Sequence, residues 1–166
     1  RLLHVDDLDP EVSIAAARHA VAHAIPVTSD LDRITEQTPE LVALSTVAIF
    51  STHALSALTG ERKAEHALRK LRTIHAGLLC VTLGRDGAML LEDDRLHHVP
   101  AFIVNATDTT GAGDVFRAGF IYGLLQGYNL GDIVRFASAA AAASCTREGA
   151  MSSVPTPADV EHLLRA

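Results

Sequence analysis

The sequence predicts a three-layer α/β/α domain with a mostly parallel sheet, and three observations carry that reading. Short apolar runs alternate with helical patterns through the first half of the chain. The run "GLLCVTLG" (77–84) is nearly unbroken, as in a strand buried on both faces, and the last third is helical. At 166 residues and 48% hydrophobic, the chain can bury one sizeable core, so residues 1–166 are read as one folding unit or part of one.

"RLLHV" (1–5) opens as a strand. "DLDPEVSIAAARHAVAHA" then starts a helix, with Asp9 as its N-cap and Pro10 at the first helical position, where no N–H is required. Ile14, Ala17, Val21 and Ala24 fall on one face, the expected core side. "IPVTSD" (25–30) is a second strand, "PELVALS" a short helix, "VAIFS" (47–51) a third strand, and "HALSALTG" a helix stopped by Gly60. Residues 61–75 read as a charged helix ahead of the 77–84 strand. "GAMLLED" and "RLHHVPAF" form a hairpin around Asp93 and Asp94, and helices over 111–127, 130–146 and 157–165 end the chain. In sheets of this type ligands sit at the carboxyl ends of the strands and at the adjoining helix N-termini.

The net charge is −6 and Lys and Arg are scattered, which argues against nucleic acid and anionic membrane as partners. No signal peptide is evident, and the most apolar helix, "IVRFASAAAAASC", is interrupted by Arg135 and too short to span a bilayer, so a soluble, cytoplasmic protein is expected. Cys80 and Cys145 stand far apart inside apolar runs and are read as buried, reduced thiols. His19 and His23 have the i, i+4 spacing of a metal clamp but no third ligand, and are read as a solvated helix face. His97 and His98 point to opposite faces of a strand, and "SAAAAAS" (138–144) reads as close helix packing against the sheet. The chain contains neither a G-x-x-x-x-G-K-[ST] nor a strand followed by G-x-G-x-x-G, which argues against a P-loop NTPase and a dinucleotide-binding dehydrogenase.

The densest cluster of polar chemistry is "ATDTTGAGDVFRAGF" (106–120), where two aspartates, three threonines and two glycines precede an apolar helix. A helix beginning near Gly111 leaves its first N–H groups unpaired, and glycines at 111 and 113 keep side chains from screening them from an anion. Asp114 falls in the first turn, aimed at the same spot. A carboxylate is a weak base, yet phosphoryl transfer through a loose transition state asks mainly that a hydroxyl be oriented and its proton accepted late. A helix terminus supplies about 0.3 to 2 kcal/mol toward an anion against the roughly 8 to 23 kcal/mol by which enzymes lower barriers, so positioning, Mg2+ and a closed site must supply the remainder.

"DTTGAGDVFRAGF" resembles the carboxy-terminal signature of the ribokinase-like (PfkB) carbohydrate kinases. "VTLGRDGAML" (81–90) resembles the family's T-x-G-x-x-G nucleotide segment, "TREGAMSSVPT" (146–156) its closing loop, and "LTG" at 58–60 falls where the family has it. The resemblance implies ATP-dependent phosphorylation, with Mg2+, of a sugar or sugar-like alcohol. Asp114 would be the base, the amides of Gly111, Ala112 and Gly113 the anion hole, and Thr82, Gly84 and Gly87 the nucleotide site, with Ser138 near the adenine. It also implies a K+ site from Asp108 and Thr110, with Ser144, Arg147 and Gly149 by backbone carbonyl and Ser153 by side chain.

Two motifs depart from the family pattern. Where N-x-x-E is usual after the third strand, the chain has Ser51, Thr52, His53 and Ala54, and where D-x-N-x-R is usual it reads "DLDRIT", with Arg33 one place early. With Arg1 at its head, the sequence is expected to be the carboxy-terminal portion of such a kinase, lacking an amino-terminal half that carries the lid and through which a homodimer is expected. A non-catalytic nucleotide-binding fragment and a nucleoside kinase of the same fold are the alternatives.

Overall fold

The structure, a computed structural model, describes residues 1–165. In chain order the elements are β1 (Leu3–Val5), α1 (Pro10–Ala22), β2 (Val27–Leu31), α2 (Thr38–Leu44), β3 (Val47–Ser51), α3 (Thr52–Thr59), α4 (Ala64–Leu71), β4 (Leu78–Thr82), β5 (Ala88–Glu92), β6 (Arg95–Val99), α5 (Ala112–Gln126), α6 (Leu130–Ser144) and α7 (Pro157–Arg165). The strands form one sheet in the order β1-β2-β3-β4-β5-β6. The first four run parallel, with Leu3 opposite Val27, Thr28 opposite Val47 and Val47 opposite Leu78. The chain divides into two compact units: 1–83 with 89–98, and 84–88 with the residues from Val99 onward.

In the first unit, helices α1 to α4 bury one apolar face each into a common core. Ile14, Ala17 and Ala20 of α1, Leu41 and Val42 of α2, Leu55 of α3 and Leu68 of α4 meet Leu31, Phe50, Leu79 and Val81 of the strands. The alternate strand residues Ile49 and Cys80 are also fully buried, so β3 and β4 are covered on both faces, as the unbroken apolar run of 77–84 predicts for β4. The Asp9 carboxylate accepts from the Val12 N–H and Ser51 Oγ from the Ala54 N–H, fixing the starts of α1 and α3. Gly60 ends α3 with φ +75.

Three expectations are corrected in this unit. Val21 is 50% exposed and Ala24 is exposed, because the buried stripe of α1 runs through Ser13, Ile14, Ala17 and Ala20 and the helix ends at Ala22. Beyond it Ala24 adopts φ 52, its N–H donating to the Val21 carbonyl while the Ile25 N–H reaches back to the Ala20 carbonyl, the hydrogen-bond pattern of a Schellman cap with alanine where glycine is the relaxed choice. The expected helix over 61–75 is shorter, Ala64–Leu71: beyond it the chain tightens into a turn, the Thr73 N–H donating to the Lys70 carbonyl and the Ile74 and His75 N–H groups to the Leu71 carbonyl, while the Arg72 guanidinium binds the carbonyls of His75, Gly77 and Leu91. The first strand is also shorter than read. Relieving the left-handed strain, Ala24→Gly is expected to raise stability in urea unfolding by up to about 1 kcal/mol, with an unchanged m-value.

In the second unit, α5 and α6 approach closely through small residues. A Cβ on Gly119 would lie 2.9 Å from Ala137 Cα, and one on Gly123 would lie 3.0 Å from the Ile133 side chain. Ala139 and Ala140 pack with Val115 of α5 and Val160 of α7, so the alanine-rich run serves helix-on-helix contact. Thr156 and Asp159 satisfy each other reciprocally at the start of α7: Asp159 Oδ2 accepts from the Thr156 N–H and Thr156 Oγ1 from the Asp159 N–H. Among the described residues no helix is long and apolar enough to cross a membrane.

Candidate functional site

The start of α5 differs from those of α1, α3 and α6. Those three are closed by the side chains of Asp9, Ser51 and Asn129, whereas the residue before α5 is Gly111, at φ 76, with no side-chain cap. The first turn of this 15-residue helix therefore has no side-chain cap, as in α2 and α4; the Ala112 N–H donates to the Thr109 carbonyl, and Asp114 in the same turn is 81% exposed.

Both glycines also stand close to other parts of their unit. A Cβ on Gly111 would fall 3.1 Å from the Ala150 Cβ, in a left-handed conformation that a side chain resists, so Gly111 permits both the cap and the approach of residue 150. A Cβ on Gly113 would fall 2.6 Å from Arg117 Nη1. Gly113 thus leaves room for a guanidinium behind the turn. Arg117 is 5% exposed, and its Nη1 lies 3.7 Å from Asp114 Oδ1. Sequence reasoning missed Arg117 as a site residue; the available signal was an arginine three positions after Asp114, one turn along the same helix, inside an otherwise apolar run.

The loop leading into α5 is laced to the loop after α6. The N–H groups of Thr107 and Asp108 both donate to the Cys145 carbonyl. Asp108 Oδ2 accepts from the Gly149 N–H at 2.9 Å, and Asp108 Oδ1 from the Thr110 N–H at 2.9 Å and from Thr110 Oγ1 at 2.7 Å. These donors, the Gly149 amide foremost, hold the Asp108 carboxyl at a pKa of about 2. Ser144 and Arg147 lie in the same turn, the Arg147 N–H donating to the Ser144 carbonyl, and the Ser153 N–H donates to the Gly149 carbonyl. The Arg147 side chain points to Asp159, 2.8 Å away, and Ser153 is buried. Asp108, Thr110, Ser144, Arg147, Gly149 and Ser153 are thereby drawn into one pair of linked loops.

Because this carboxyl is depressed in the folded protein, its contribution to holding the loops is complete above the ordinary carboxylate value near 3.8 and is lost as pH falls through about 2. An NMR pH titration is expected to give an Asp108 side-chain midpoint of about 2, with the Gly149 amide resonance moving in step.

Of the nucleotide-segment residues, Thr82 belongs to the first unit and Gly84 and Gly87 to the second. Thr82 ends β4, its Oγ1 3.4 Å from the Phe50 carbonyl. In the other unit, Gly84 adopts φ 60 with open space around it. Gly87 adopts φ 94, and a Cβ there would lie 2.0 Å from the Val99 carbonyl oxygen, so the backbone of 99–101 passes directly against it. Ser138 is buried in α6, and its Oγ has no hydrogen-bond partner among the described residues. Cys145 is half-buried, where full burial was expected; its partial burial pushes the thiol pKa up, and neither cysteine forms a disulfide among the described residues. His19 and His23 stack with ring centroids 4.3 Å apart, and no group of three or more potential metal ligands occurs among the described residues.

At the carboxyl ends of the first strands, Asp7 is a further residue the sequence did not flag. Its buried carboxylate accepts from the Asp32 N–H at 2.7 Å and from the Arg33 N–H, fixing the loop that departs from the D-x-N-x-R pattern. At the start of α3, Ser51 Oγ serves as the cap and Thr52 Oγ1 donates to the Thr82 carbonyl, so the N-x-x-E position holds hydroxyls and no carboxylate.

A profile of the pfkB family of carbohydrate kinases matches residues 4–157. The chain belongs to the pfkB family. It is 30% identical over 156 residues to the ribokinase of Bacillus subtilis, covering 93% of this chain and 52% of that one. Among solved structures it resembles the ribokinase of Thermotoga maritima, with a TM-score of 0.87 and 30% identity over 99% of this chain and 57% of that one. It also resembles the ribokinase of Arabidopsis thaliana, solved with ribose and ATP, with a TM-score of 0.92 and 26% identity over 99% of this chain and 56% of that one. The chain has the three-layer α/β/α ribokinase-like fold of the pfkB family and spans about half the length of the relatives it matches.

Proposed function

We propose that the whole protein transfers the γ-phosphoryl group of ATP to a hydroxyl of a sugar or sugar-like alcohol, in the cytoplasm, as a homodimer. The observation that carries this reading is the open first turn of α5, entered through an uncapped Gly111 at φ 76 with the exposed carboxylate of Asp114 beside it. The amides of Gly111 and Gly113, with that of Ala112 once it turns from the Thr109 carbonyl, hold the phosphoryl oxygens, and Asp114 orients the acceptor hydroxyl and takes its proton as the new P–O bond forms. Gly84 and Gly87 line the nucleotide site within the second unit. The Ser138 hydroxyl, buried without a partner, supplies a polar contact toward the base.

Mg2+, when bound, neutralises charge on the nucleotide phosphates. No carboxylate cluster stands ready for it among the described residues, which suits an ion held mainly by phosphate oxygens and water. The Asp108 donor set suits a hard monovalent cation such as K+: the carboxylate stays ionised to about pH 2, and its three hydrogen bonds leave lone-pair capacity on its oxygens. Thr110, Ser153 and the carbonyls of Ser144, Arg147 and Gly149 complete that set.

A second reading, a nucleotide-binding segment without turnover, is favoured by the start of α3, where Ser51 and Thr52 are engaged with backbone and no carboxylate is present. Calorimetry with ATP and ADP, beside phosphotransfer assays on ribose, fructose and nucleosides with and without K+, separates the two. The proposal expects nucleotide binding and phosphorylation of at least one of these by the whole protein. Nucleotide binding with no turnover on any of them favours the second reading, and no nucleotide binding contradicts both.

A further inference from the structure

We infer that Arg117 is a positioning residue for phosphoryl transfer: its guanidinium holds the Asp114 carboxylate in place and stands as a fixed cation behind the Gly113 end of the amide cradle. This rests on the reading of Asp114 as the base.

Two independent geometric observations meet at this side chain. Arg117 Nη1 lies 3.7 Å from Asp114 Oδ1, and the same atom occupies the space that any side chain at position 113 would need, 2.6 Å from where its Cβ would be. A β-carbon at position 113 would therefore have to displace the end of the guanidinium. Burial sharpens the point. Arg117 is 5% exposed while Asp114 is 81% exposed, so the cation is fixed within the protein and the anion faces solvent. Guanidinium groups are almost never fully buried unless paired, and an apolar residue at this inward position of α5 would pack at lower cost.

Two effects follow. An exposed carboxylate on a free χ1 samples several rotamers, and an ion pair from below biases it toward one, which matters when a hydroxyl proton must be accepted at hydrogen-bond distance. A cation held away from bulk water also acts on a phosphoryl group at the cradle through a lower effective dielectric than an exposed lysine would, and needs no rearrangement as charge migrates.

The test uses the whole protein with Arg117→Met, Arg117→Lys and Asp114→Asn, alone and combined. Arg117→Met is expected to lower kcat about 10- to 100-fold with KM for ATP unchanged, and Arg117→Lys to recover part of the loss. In the Asp114→Asn background, Arg117→Met is expected to lower kcat by less than it does alone, because part of its action runs through that carboxylate. As a readout independent of turnover, Asp114→Asn is expected to shift the Arg117 side-chain NMR resonances. Should Arg117→Met fail to fold by circular dichroism, Arg117→Lys decides: it lacks the guanidinium fork, and a lowered kcat at unchanged melting temperature supports the inference. Arg117 variants that fold and keep full kcat while Asp114→Asn is inactive overturn this inference alone. A fully active Asp114→Asn overturns the reading of Asp114 on which it rests.

Discussion

Asp114→Asn in the whole protein will lower kcat by about 10²- to 10⁴-fold while nucleotide affinity stays near its starting value. The substitution preserves shape and removes the capacity to accept a proton. Because the side chain is 81% exposed and is not the helix cap, the overall fold does not depend on it and circular dichroism should be unchanged, while the melting temperature should fall modestly as the buried Arg117 loses its ion-pair partner. The loss should appear in single-turnover phosphotransfer as well as in steady state. A loss confined to KM would mean that the carboxylate binds substrate without taking part in the transfer.

Gly111→Val will be nearly as damaging, by a different route. Position 111 sits at φ 76, and a Cβ there meets Ala150 at 3.1 Å. A β-branched residue cannot hold that conformation cheaply, at roughly 1 to 2 kcal/mol for the left-handed region alone, so the turn will relax and turn its amides away from the cradle. An anion-stabilising site that loses aligned donors forfeits about 10²- to 10³-fold in kcat. Gly111→Ala should fall between wild type and Gly111→Val. Because the linked loops also hold Asp108, Gly111→Val is expected to weaken any K+ activation in parallel, read as a rise in the K+ concentration for half-maximal rate.

Much of the fold was legible because local chemistry and tertiary packing agree. Asp9 with Pro10 starts a helix, Gly60 stops one, and the Asp93–Asp94 pair turns β5 into β6 with Asp93 at φ 50. Val21 was misplaced because a seven-residue spacing from Ile14 looks equivalent on a helical wheel, while the real stripe is set by which turns reach the sheet and by the cap at Ala24. Beyond the end of α4, Arg72 gathers carbonyls from residues up to 91, a long-range arrangement with no local signature. At the site, the residue types of 108–114 pointed to phosphate chemistry, but the close approach of the Arg117 guanidinium to Gly113 is one that spacing alone does not reveal. The lacing of Asp108 to Gly149 likewise joins residues 41 apart in sequence.

The central claim is that the first turn of α5 receives the migrating phosphoryl group. Backbone amide NMR of this chain during titration with ATP, and with ADP and aluminium fluoride, addresses it directly. The account predicts that the amides of Gly111, Ala112 and Gly113 move together and more with the fluoride complex than with ATP. Saturable shifts confined to other segments, with 111–113 unmoved in both titrations, would contradict it.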